Sequence, residues 1–251
     1  MTDDKTIVLA TRNPGKLREL ARILGAGEPG SAPVRLTGLD EFPGAPDVPE
    51  TGATFEENAL LKARAIADYT GLPAVADDSG LCVDALNGMP GVLSARWAGK
   101  HGDDRANLEL VLAQVADVPD ARLGARFVCA AALVVPGAAA LPALSRPGGP
   151  VRPDPLGSLP GGPIPPALSG GGTTPPNPSG AREWVVTGQV EGRLIRTPRG
   201  TGGFGYDPIF LPDGFAQTTA EMTADAKDAI SHRGRAFRAL APFIAKTYQG
   251  S

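Results

Sequence analysis

The residues with the clearest chemical potential are two adjacent aspartates, Asp77 and Asp78, which follow the apolar run 72–76 (LPAVA) and precede Ser79 and Gly80. A short apolar run that stops at carboxylates predicts acid groups at the C-terminal edge of a strand, where open α/β sheets bind ligands and metals. Oxygen donors in that place suit a hard cation. The alternative is a strand followed by an ordinary acidic turn, since Asp, Ser and Gly are common turn residues.

The segment 11–16 (TRNPGK) lies between an apolar run of strand length, 6–10, and a helical pattern of apolar residues at Leu17, Leu20, Ala21 and Leu24. Its hydroxyl, amide and cation stand at a helix N-terminus with unpaired N–H groups, which predicts a seat for phosphate. The glycine spacing is neither that of a Walker loop nor that of a dinucleotide fingerprint. An ordinary turn and helix start is the alternative.

The segment 50–63 predicts a second helix, because Thr54 and Glu57 have the spacing of a capping box before an apolar helical face. Asn58 and Lys62 are four residues apart and share a different face, which is either functional or a solvated polar face. Glu50, just before the helix, is a candidate second carboxylate for Mg²⁺ at the Asp78 site.

Two later segments offer groups for a nucleotide. Residues 200–210 (GTGGFGYDPIF) combine four glycines with aromatic residues, and this predicts close backbone approach to a flat ligand on which Phe204 or Tyr206 stacks. Residues 227–235 (KDAISHRGR) place His232 and Arg233 in a break between two helical stretches. They offer donors to phosphate and to a carbonyl-bearing base, and a cation cluster on a helix surface is the alternative.

The spacing of apolar residues along the chain switches repeatedly between that of a helix and that of a strand, which predicts an α/β fold. Residues 104–115 and the positions 237, 240, 241 and 244 predict helices, whereas 125–135 and 183–190 predict strands. Residues 136–180 contain 13 Pro and 10 Gly without periodicity, so we expect a disordered insert. Because so long a loop costs only about 2 kcal/mol more closure entropy than a tight turn, we expect its flanking strands to pair as a hairpin.

The bulk composition limits the classes of partner. With 251 residues, 42% apolar content and a formal charge of −3, the chain can fill a core but has no general attraction for nucleic acid or an anionic membrane. Cys82 and Cys129 lie in apolar contexts without metal-ligand spacing, which predicts buried free thiols. The acidic N-terminus lacks the pattern of a secretory signal, and the apolar run 129–135 is far shorter than the ~20 residues that cross a bilayer. We expect a cytoplasmic, soluble protein.

Taken together, these segments closely resemble the inosine triphosphate pyrophosphatase-like family, which hydrolyses non-standard purine nucleoside triphosphates such as dITP, ITP and XTP. The resemblance covers almost the whole chain except the insert, and its motifs are, in order, residues 11–16, 50–63, 76–81 (ADDSGL), 83–92 (VDALNGMPGV), 94–96 (SAR), 202–210 and 231–234 (SHRG). It implies an α/β fold with a long mixed central sheet flanked by helices and two lobes with an active-site cleft between them. Residues 1–251 would form a single domain, interrupted at 136–180, that assembles as a homodimer.

The resemblance also implies roles for individual residues. Asp78 is implied as proton acceptor and magnesium ligand, Glu50 as a second metal contributor, and Ser79 as a substrate contact. The remaining substrate contacts implied are Thr11, Arg12, Asn13, Pro14, Gly15 and Lys16 for the phosphates, Phe204, Gly205, Tyr206, Asp207 and Lys227 along the nucleotide, and His232 with Arg233 at the base. The insert departs from the short connection that the family predicts.

The chemistry is consistent with this assignment. Lys16, Lys62, Lys227 and Arg233 together with one Mg²⁺ can neutralise a triphosphate despite the acidic whole chain. A metal polarises the phosphates while an aspartate accepts the proton of an attacking water, and attack at the α-phosphorus releases pyrophosphate. A pocket of donors suits the 6-oxo group of hypoxanthine or xanthine rather than the amino group of adenine. Two alternatives stay open: a nucleotide-binding regulator without turnover, and a pyrophosphatase for other nucleotides such as dUTP or dTTP.

Overall fold

A mixed six-stranded sheet organises the chain, with strand order β2-β1-β3-β4-β5-β6. The computed structural model describes residues 5–12, 16–17, 20–22, 35–137 and 180–248. The strands are β1 (Thr6–Leu9), β2 (Arg35–Thr37), β3 (Ala74–Val83), β4 (Gly124–Val135), β5 (Arg182–Leu194) and β6 (Phe210–Pro212). The α-helices that follow β2 are α1 (Phe55–Thr70), α2 (Asp104–Gln114), α3 (Ala224–Ile230) and α4 (His232–Thr247).

The sheet is parallel on one side and antiparallel on the other. β1 pairs in parallel with both β2 and β3, whereas β3, β4, β5 and β6 pair in antiparallel fashion. The predicted α/β fold with a long mixed sheet is therefore confirmed. The predicted helix after β1 is described at residues 16–17 and 20–22, which are helical, and its remaining positions lie outside the described residues.

β3 carries the two aspartates in its middle, so the prediction that they lie at the end of a strand is wrong. The strand continues to Val83, because the residues after the aspartates keep pairing with β4. What ends beside them is β1, whose ladder with β3 stops at Leu9↔Val75. Asp77 and Asp78 therefore lie next to the carboxyl end of a parallel neighbour, which is where ligand sites form in such sheets.

Helix α1 follows from local sequence signals that the structure confirms. Thr54 Oγ1 accepts the Glu57 N–H at 3.2 Å and so caps the first turn, and Glu57 Oε2 accepts the N–H of Ala53, the residue before the N-cap, at 2.7 Å. Gly71 ends the helix with φ 68°, the left-handed conformation that favours glycine. The predicted apolar face is buried against the sheet.

The core divides between the two ends of the long strands. At the end near β1, α1 packs on one face of the sheet and α4 on the other. At the far end, a separate cluster includes Leu81, Val111 and Phe210. The strands β3, β4 and β5 run through both parts of the core.

The N-terminus of α4 lies directly against β5 at Gly188. A Cβ added to Gly188 would lie 2.3 Å from the His232 carbonyl oxygen and 2.4 Å from the Ala236 nitrogen. Only glycine allows this close approach without a shift of backbone. The contact fixes the height of the first turn of α4, which carries His232 and Arg233, above the sheet.

The strands β4 and β5 form the predicted hairpin, with Val135 opposite Arg182. The predicted disordered segment, 136–180, lies almost entirely outside the described residues. Cys82 and Cys129 are both free and buried, as predicted. No helix in the described part of the chain has the length and apolar character needed to cross a membrane.

Candidate active site

Asp77 and Asp78 point to opposite faces of β3, because successive side chains of a strand alternate. The Asp78 carboxylate accepts a hydrogen bond from Asn58 Nδ2 of α1 at 2.9 Å. On the other face, both Asp77 oxygens lie 3.0 Å from Lys16 Nζ, and one lies 3.2 Å from Arg233 Nε of α4. The adjacent aspartates therefore do not share one cation site, and only Asp78 faces α1.

Glu50 and Asp78 converge as predicted, and Lys62 lies between them. Lys62 Nζ is 2.6 Å from Glu50 Oε1 and 3.7 Å from Asp78 Oδ1. Arg96 adds a second cation, with Nη1 3.4 Å from Glu50 Oε2 and Nη2 3.2 Å from the Glu50 carbonyl oxygen. The carboxylates thus meet around positive charge, which offsets their mutual repulsion.

Asn58 connects the two carboxylate segments. Its side chain is fully buried, donates to Asp78, and accepts the Gly52 N–H at 2.7 Å through Oδ1. The residues preceding α1, which carry Glu50, are therefore held to β3 by one amide. The interpretation of Asn58 and Lys62 as a solvated polar face is wrong, because this face of α1 packs against the carboxylates.

The surroundings move the pKa values of the two aspartates in opposite directions. Burial raises the pKa of Asp78, and although Lys62 opposes this, Glu50 and Asp77 add to it, so the pKa lies above the ordinary value. Burial also acts to raise the pKa of Asp77, but Lys16 and Arg233 outweigh it, so that pKa lies well below the ordinary value. Neighbouring carboxyls with diverging pKa values can take different chemical roles, and Asp78 is the stronger base.

The donor set at Asp78 and Glu50 fits a magnesium ion. Two carboxylates already converge on one cation, the Lys62 ammonium. Mg²⁺ commonly takes one or two protein carboxylates and fills its other positions with substrate phosphates and water. Within the described ranges, no group of three or more His, Cys, Asp or Glu side chains could hold a metal by itself.

A cleft of about 500 Å³ opens over these groups at the end of β1. Its lining is rich in cations and includes Thr11, Arg12, Lys16, Glu50, Lys62, Asp77, Arg96 and His101. Arg12 is exposed and donates to the Ala45 carbonyl oxygen at 3.0 Å. The structure thus brings Thr11, Arg12 and Lys16 to the carboxylates, whereas Asn13, Pro14 and Gly15 lie outside the described residues.

The glycine-rich loop presents one exposed ring, Phe204. Its side chain is 59% exposed, with Lys227 Nζ 5.2 Å and the Arg233 guanidinium carbon 6.0 Å from the ring centroid. Tyr206 is buried instead, and its hydroxyl donates to the Ser94 carbonyl oxygen at 2.8 Å. Of the two candidate stacking residues, only Phe204 offers an open face.

Asp207 organises this loop from below. Its buried carboxylate accepts the Phe204 N–H at 2.8 Å and the Thr219 hydroxyl at 2.7 Å, and it pairs with Lys227. Gly203 has φ 72°, and a Cβ there would lie 2.0 Å from Asp207 Oδ2. The next glycine, Gly205, donates its N–H to Asp104 Oδ2 at 2.8 Å.

His232 and Arg233 begin α4, in the predicted break between two helices. Ser231 caps α4 by accepting the Gly234 N–H at 2.9 Å. The His232 ring stacks on Phe127 with centroids 5.0 Å apart. Burial, then the charges of Arg233 and Lys227, hold the pKa of His232 well below its usual value, so its imidazole is neutral near pH 7.

A family model covers most of this arrangement. The model described as Ham1 family matches residues 7–148 and 173–243. The chain belongs to the Ham1 family. The matched ranges include the carboxylates, the cationic cleft, the Phe204 loop and the first turn of α4.

Individual relatives match over nearly their whole length. The dITP/XTP pyrophosphatase of Streptomyces coelicolor is 51% identical over 238 residues, covering 95% of this chain and 96% of that protein. That of Nocardia farcinica is 52% identical over 239 residues, covering 95% and 94%. The solved structure of a nucleoside-triphosphatase, or dITP/XTP pyrophosphatase, from Mycobacterium abscessus has 47% identity and a TM-score of 0.64, with 94% of this chain and 99% of that chain covered. A HAM1 protein from Coxiella burnetii reaches a TM-score of 0.69 at 35% identity, with 96% and 98% covered.

The family resemblance implied no individual role for three polar residues of the site, Asn58, Asp77 and Arg96. Asn58 and Asp77 are buried contacts of the predicted residues, and Arg96 holds Glu50. The spacing of Asn58 to Lys62 and the neighbouring position of Asp77 were available signals in the sequence. Arg96 belongs to the motif 94–96, but its contact with Glu50 joins positions 46 residues apart and was not predicted.

Proposed function

We propose that this protein hydrolyses non-standard purine nucleoside triphosphates, namely dITP, ITP and XTP, to the nucleoside monophosphate and pyrophosphate in a Mg²⁺-dependent reaction. The observation that carries the proposal is the convergence of Asp78 and Glu50 on Lys62, where Glu50 and Lys62 line a cation-rich cleft. The relatives named dITP/XTP pyrophosphatases support the choice of substrate class.

Asp78 is the proton acceptor in this proposal. Its raised pKa makes it a better base than an ordinary aspartate, and Asn58 fixes its orientation. Glu50 and Asp78 are the residues that would hold Mg²⁺, which when bound polarises the phosphates and lowers the pKa of water. Asp78 takes the proton as water attacks the α-phosphorus, the bond from that phosphorus to its bridging oxygen breaks, and pyrophosphate leaves.

The cations of the cleft bind the triphosphate. Lys16, Arg12 and Arg96 line the same cavity as Glu50, so they supply positive charge beside the reacting group. Lys62 is half-buried between the two carboxylates. Burial alone would lower its pKa, but Asp78 and Glu50 raise it, so the ammonium stays charged. Local charge of this kind attracts a polyanion even though the whole chain is acidic.

In the proposal the purine base of the substrate is bound by four residues, Phe204, Lys227, His232 and Arg233. Phe204 offers a face on which a purine stacks, and Arg233 supplies guanidinium N–H donors toward a 6-oxo group. Adenine presents an amino donor at that position and therefore binds less well. Cytoplasmic location and assembly as a homodimer complete the proposal, and both rest on the sequence and its family resemblance.

A substrate panel tests the proposed function. Purified protein is incubated with Mg²⁺ and dITP, XTP, dGTP, dATP or dUTP, with parallel samples in EDTA, and the products are identified by chromatography. We expect pyrophosphate and the monophosphate from dITP and XTP, far less from dATP and dUTP, and none in EDTA. Release of orthophosphate, turnover of dUTP in preference to dITP, or binding without hydrolysis would each contradict the proposal.

A further inference from the structure

Asp77 has no part in the proton transfer or metal binding proposed above, yet it is one of the best buried charged groups in the described residues. Its side chain is 4% exposed. It lies on the face of β3 opposite Asp78, and its two contacts, Lys16 and Arg233, are both substrate residues of the proposed site. A buried carboxylate with two cations needs an explanation beyond packing, because burying charge is costly.

The two cations come from distant parts of the chain. Lys16 follows β1 and is 61 positions from Asp77, whereas Arg233 belongs to the first turn of α4 and is 156 positions away. Lys16 lines the cleft beside Glu50 and Arg12, where the phosphates bind. Asp77 is thus a single anchor for two segments that the backbone does not connect locally.

Arg233 in turn reaches the base end. Besides Asp77, it donates from Nη2 to Ser79 Oγ at 3.1 Å, and its guanidinium carbon lies 6.0 Å from the centroid of the Phe204 ring. Arg233 itself is 5% exposed, so its position is set by these contacts and by packing. A displacement of the Asp77 carboxylate would therefore move both the Lys16 ammonium and the Arg233 guanidinium beside Phe204.

The charge of Asp77 also matters. Asp77 forms ion pairs with Lys16 at 3.0 Å and with Arg233 at 3.2 Å, so its carboxylate offsets one of the two positive charges. Asp77 therefore weakens the electrostatic attraction between Lys16 and phosphate, but it holds the Lys16 side chain in one position. In catalysis, a displacement of about 1 Å can cost about 10²-fold in rate, whereas weaker ground-state attraction costs little once substrate is saturating.

We propose that Asp77 is a positioning residue of this hydrolysis, which holds Lys16 and Arg233 so that the phosphate-binding and base-reading ends of the nucleotide site stay aligned. The inference rests on the proposed function. It assigns to Asp77 a role in rate and in base preference, at the expense of affinity for the polyanionic part of the substrate.

The test is Asp77→Asn, which preserves size and removes the charge. We expect inorganic pyrophosphate, measured by calorimetry with Mg²⁺, to bind with unchanged or up to about tenfold higher affinity, because a negative charge has left the cleft. We expect kcat for dITP to fall by about tenfold or more, and the preference for dITP over dATP in kcat/KM to fall by about fivefold. Asp77→Glu, which restores the charge, should recover part of the preference.

Two control variants separate this role from simpler ones. Glu183→Gln breaks another buried pair, in which Glu183 contacts Arg64 at 2.6 Å away from the cleft, so it reports loss of stability alone. Asp120→Asn removes one negative charge from an exposed side chain paired with Arg196. Neither should change the dITP preference or pyrophosphate affinity by more than about twofold. Weaker pyrophosphate binding by Asp77→Asn, or an unchanged kcat and preference, would overturn the proposal.

A double-mutant cycle keeps the proposal testable if Asp77→Asn does not fold. The single variants Lys16→Met and Arg233→Met are compared with the double variant. Because both cations pair with the same carboxylate, Asp77, the effect of the double variant on pyrophosphate affinity should differ from the sum of the single effects by about threefold or more. Additive effects would overturn the proposal. Pyrophosphate binding needs no turnover, so a failure of dITP hydrolysis in the unmodified protein would refute the proposed function while leaving this measurement intact.

Discussion

Asp77 and Asp78 are joined by one peptide bond, yet their carboxylates serve opposite faces of the sheet. Asp78 contacts Asn58 of α1, whereas Asp77 contacts Lys16 and Arg233. The alternation of side chains along β3 thus separates a carboxyl with a raised pKa from one with a lowered pKa. In the proposed function, one strand thus supplies the base from one face of the sheet and an anchor for Lys16 and Arg233 from the other.

Replacing Asp78 by Asn should remove most of the turnover without unfolding the protein. A general base contributes about 10² to 10⁴ in rate, so we expect a loss of at least about 100-fold in kcat for dITP. Binding of the nucleotide in the absence of Mg²⁺ should persist or tighten, because a negative charge is removed. Pyrophosphate release and thermal unfolding are the measurements, and near-normal rates would reject Asp78 as the base.

Asn58→Leu should impair stability and activity together, because this buried amide connects Asp78 to the Gly52 N–H. Leaving a buried donor or acceptor without its partner costs about 1 to 3 kcal/mol, and kcat should fall because Asp78 loses its orientation. The measurements are urea unfolding and dITP hydrolysis.

Thr70→Val is the matched control for Asn58→Leu. Thr70 lies at the other end of α1, donates to the Ile66 carbonyl oxygen at 2.7 Å and accepts the Leu72 N–H at 3.2 Å. It should lose about 1 kcal/mol of stability and keep its kcat. Equal kcat losses in both variants would show that Asn58 acts through stability alone.

Phe204→Ala should weaken substrate binding while leaving the fold intact. The ring is 59% exposed, so its removal should change the unfolding free energy by less than about 0.5 kcal/mol. Loss of stacking on a base is worth about 1 to 3 kcal/mol, so KM for dITP should rise by about tenfold. Phe215→Ala, at another exposed ring, is the control, and an unchanged KM for Phe204→Ala would place the base elsewhere.

His232 should remain neutral at pH values where an ordinary histidine is protonated. Burial and the nearby charges of Arg233 and Lys227 lower its pKa, so the folded state binds fewer protons than the unfolded state below the ordinary value of about 6.5. The unfolding free energy should therefore decrease as pH falls through that value.

His232→Gln checks this pH dependence. The urea unfolding midpoint of each protein is measured at about pH 7.5 and about pH 5.5. The midpoint should fall less between these pH values in the variant than in the unmodified protein, because the variant lacks the imidazole that takes up a proton on unfolding. NMR titration of the imidazole gives a direct value. A pH titration midpoint of the imidazole at or above about 6.5 would contradict the lowered pKa of His232.

Deleting residues 137–180 and joining the ends by a short turn should leave folding and activity intact. Val135 and Arg182 are opposite each other in the β4–β5 ladder, so a tight turn can connect the strands. Shorter closure should raise the unfolding free energy by at most about 2 kcal/mol. Loss of soluble protein or of dITP turnover would show that the insert has a role.

Much of the fold could be predicted from the sequence because its signals are local. The capping residues Thr54 and Glu57, the stop at Gly71 and the apolar face of α1 act within a few turns of one helix. The hairpin of β4 and β5 follows from two apolar runs that a long insert rich in Pro and Gly can connect at little entropic cost. These features depend on residues that are close in sequence, and they can therefore be predicted from the sequence alone.

The sequence by itself determined which residue types are present to do the chemistry: carboxylates at Glu50 and Asp78, cations at Lys16, Lys62 and Arg233, and a ring at Phe204. Only the tertiary structure decided that Asp77 and Asp78 act on opposite faces, that Asn58 is buried between Asp78 and Gly52, and that Tyr206 belongs to the core. Those outcomes depend on how far β3 continues, where β1 ends and which helix covers each face. Hydrogen bonds and burial across such distances arise from packing, which the order of residues along one segment does not specify.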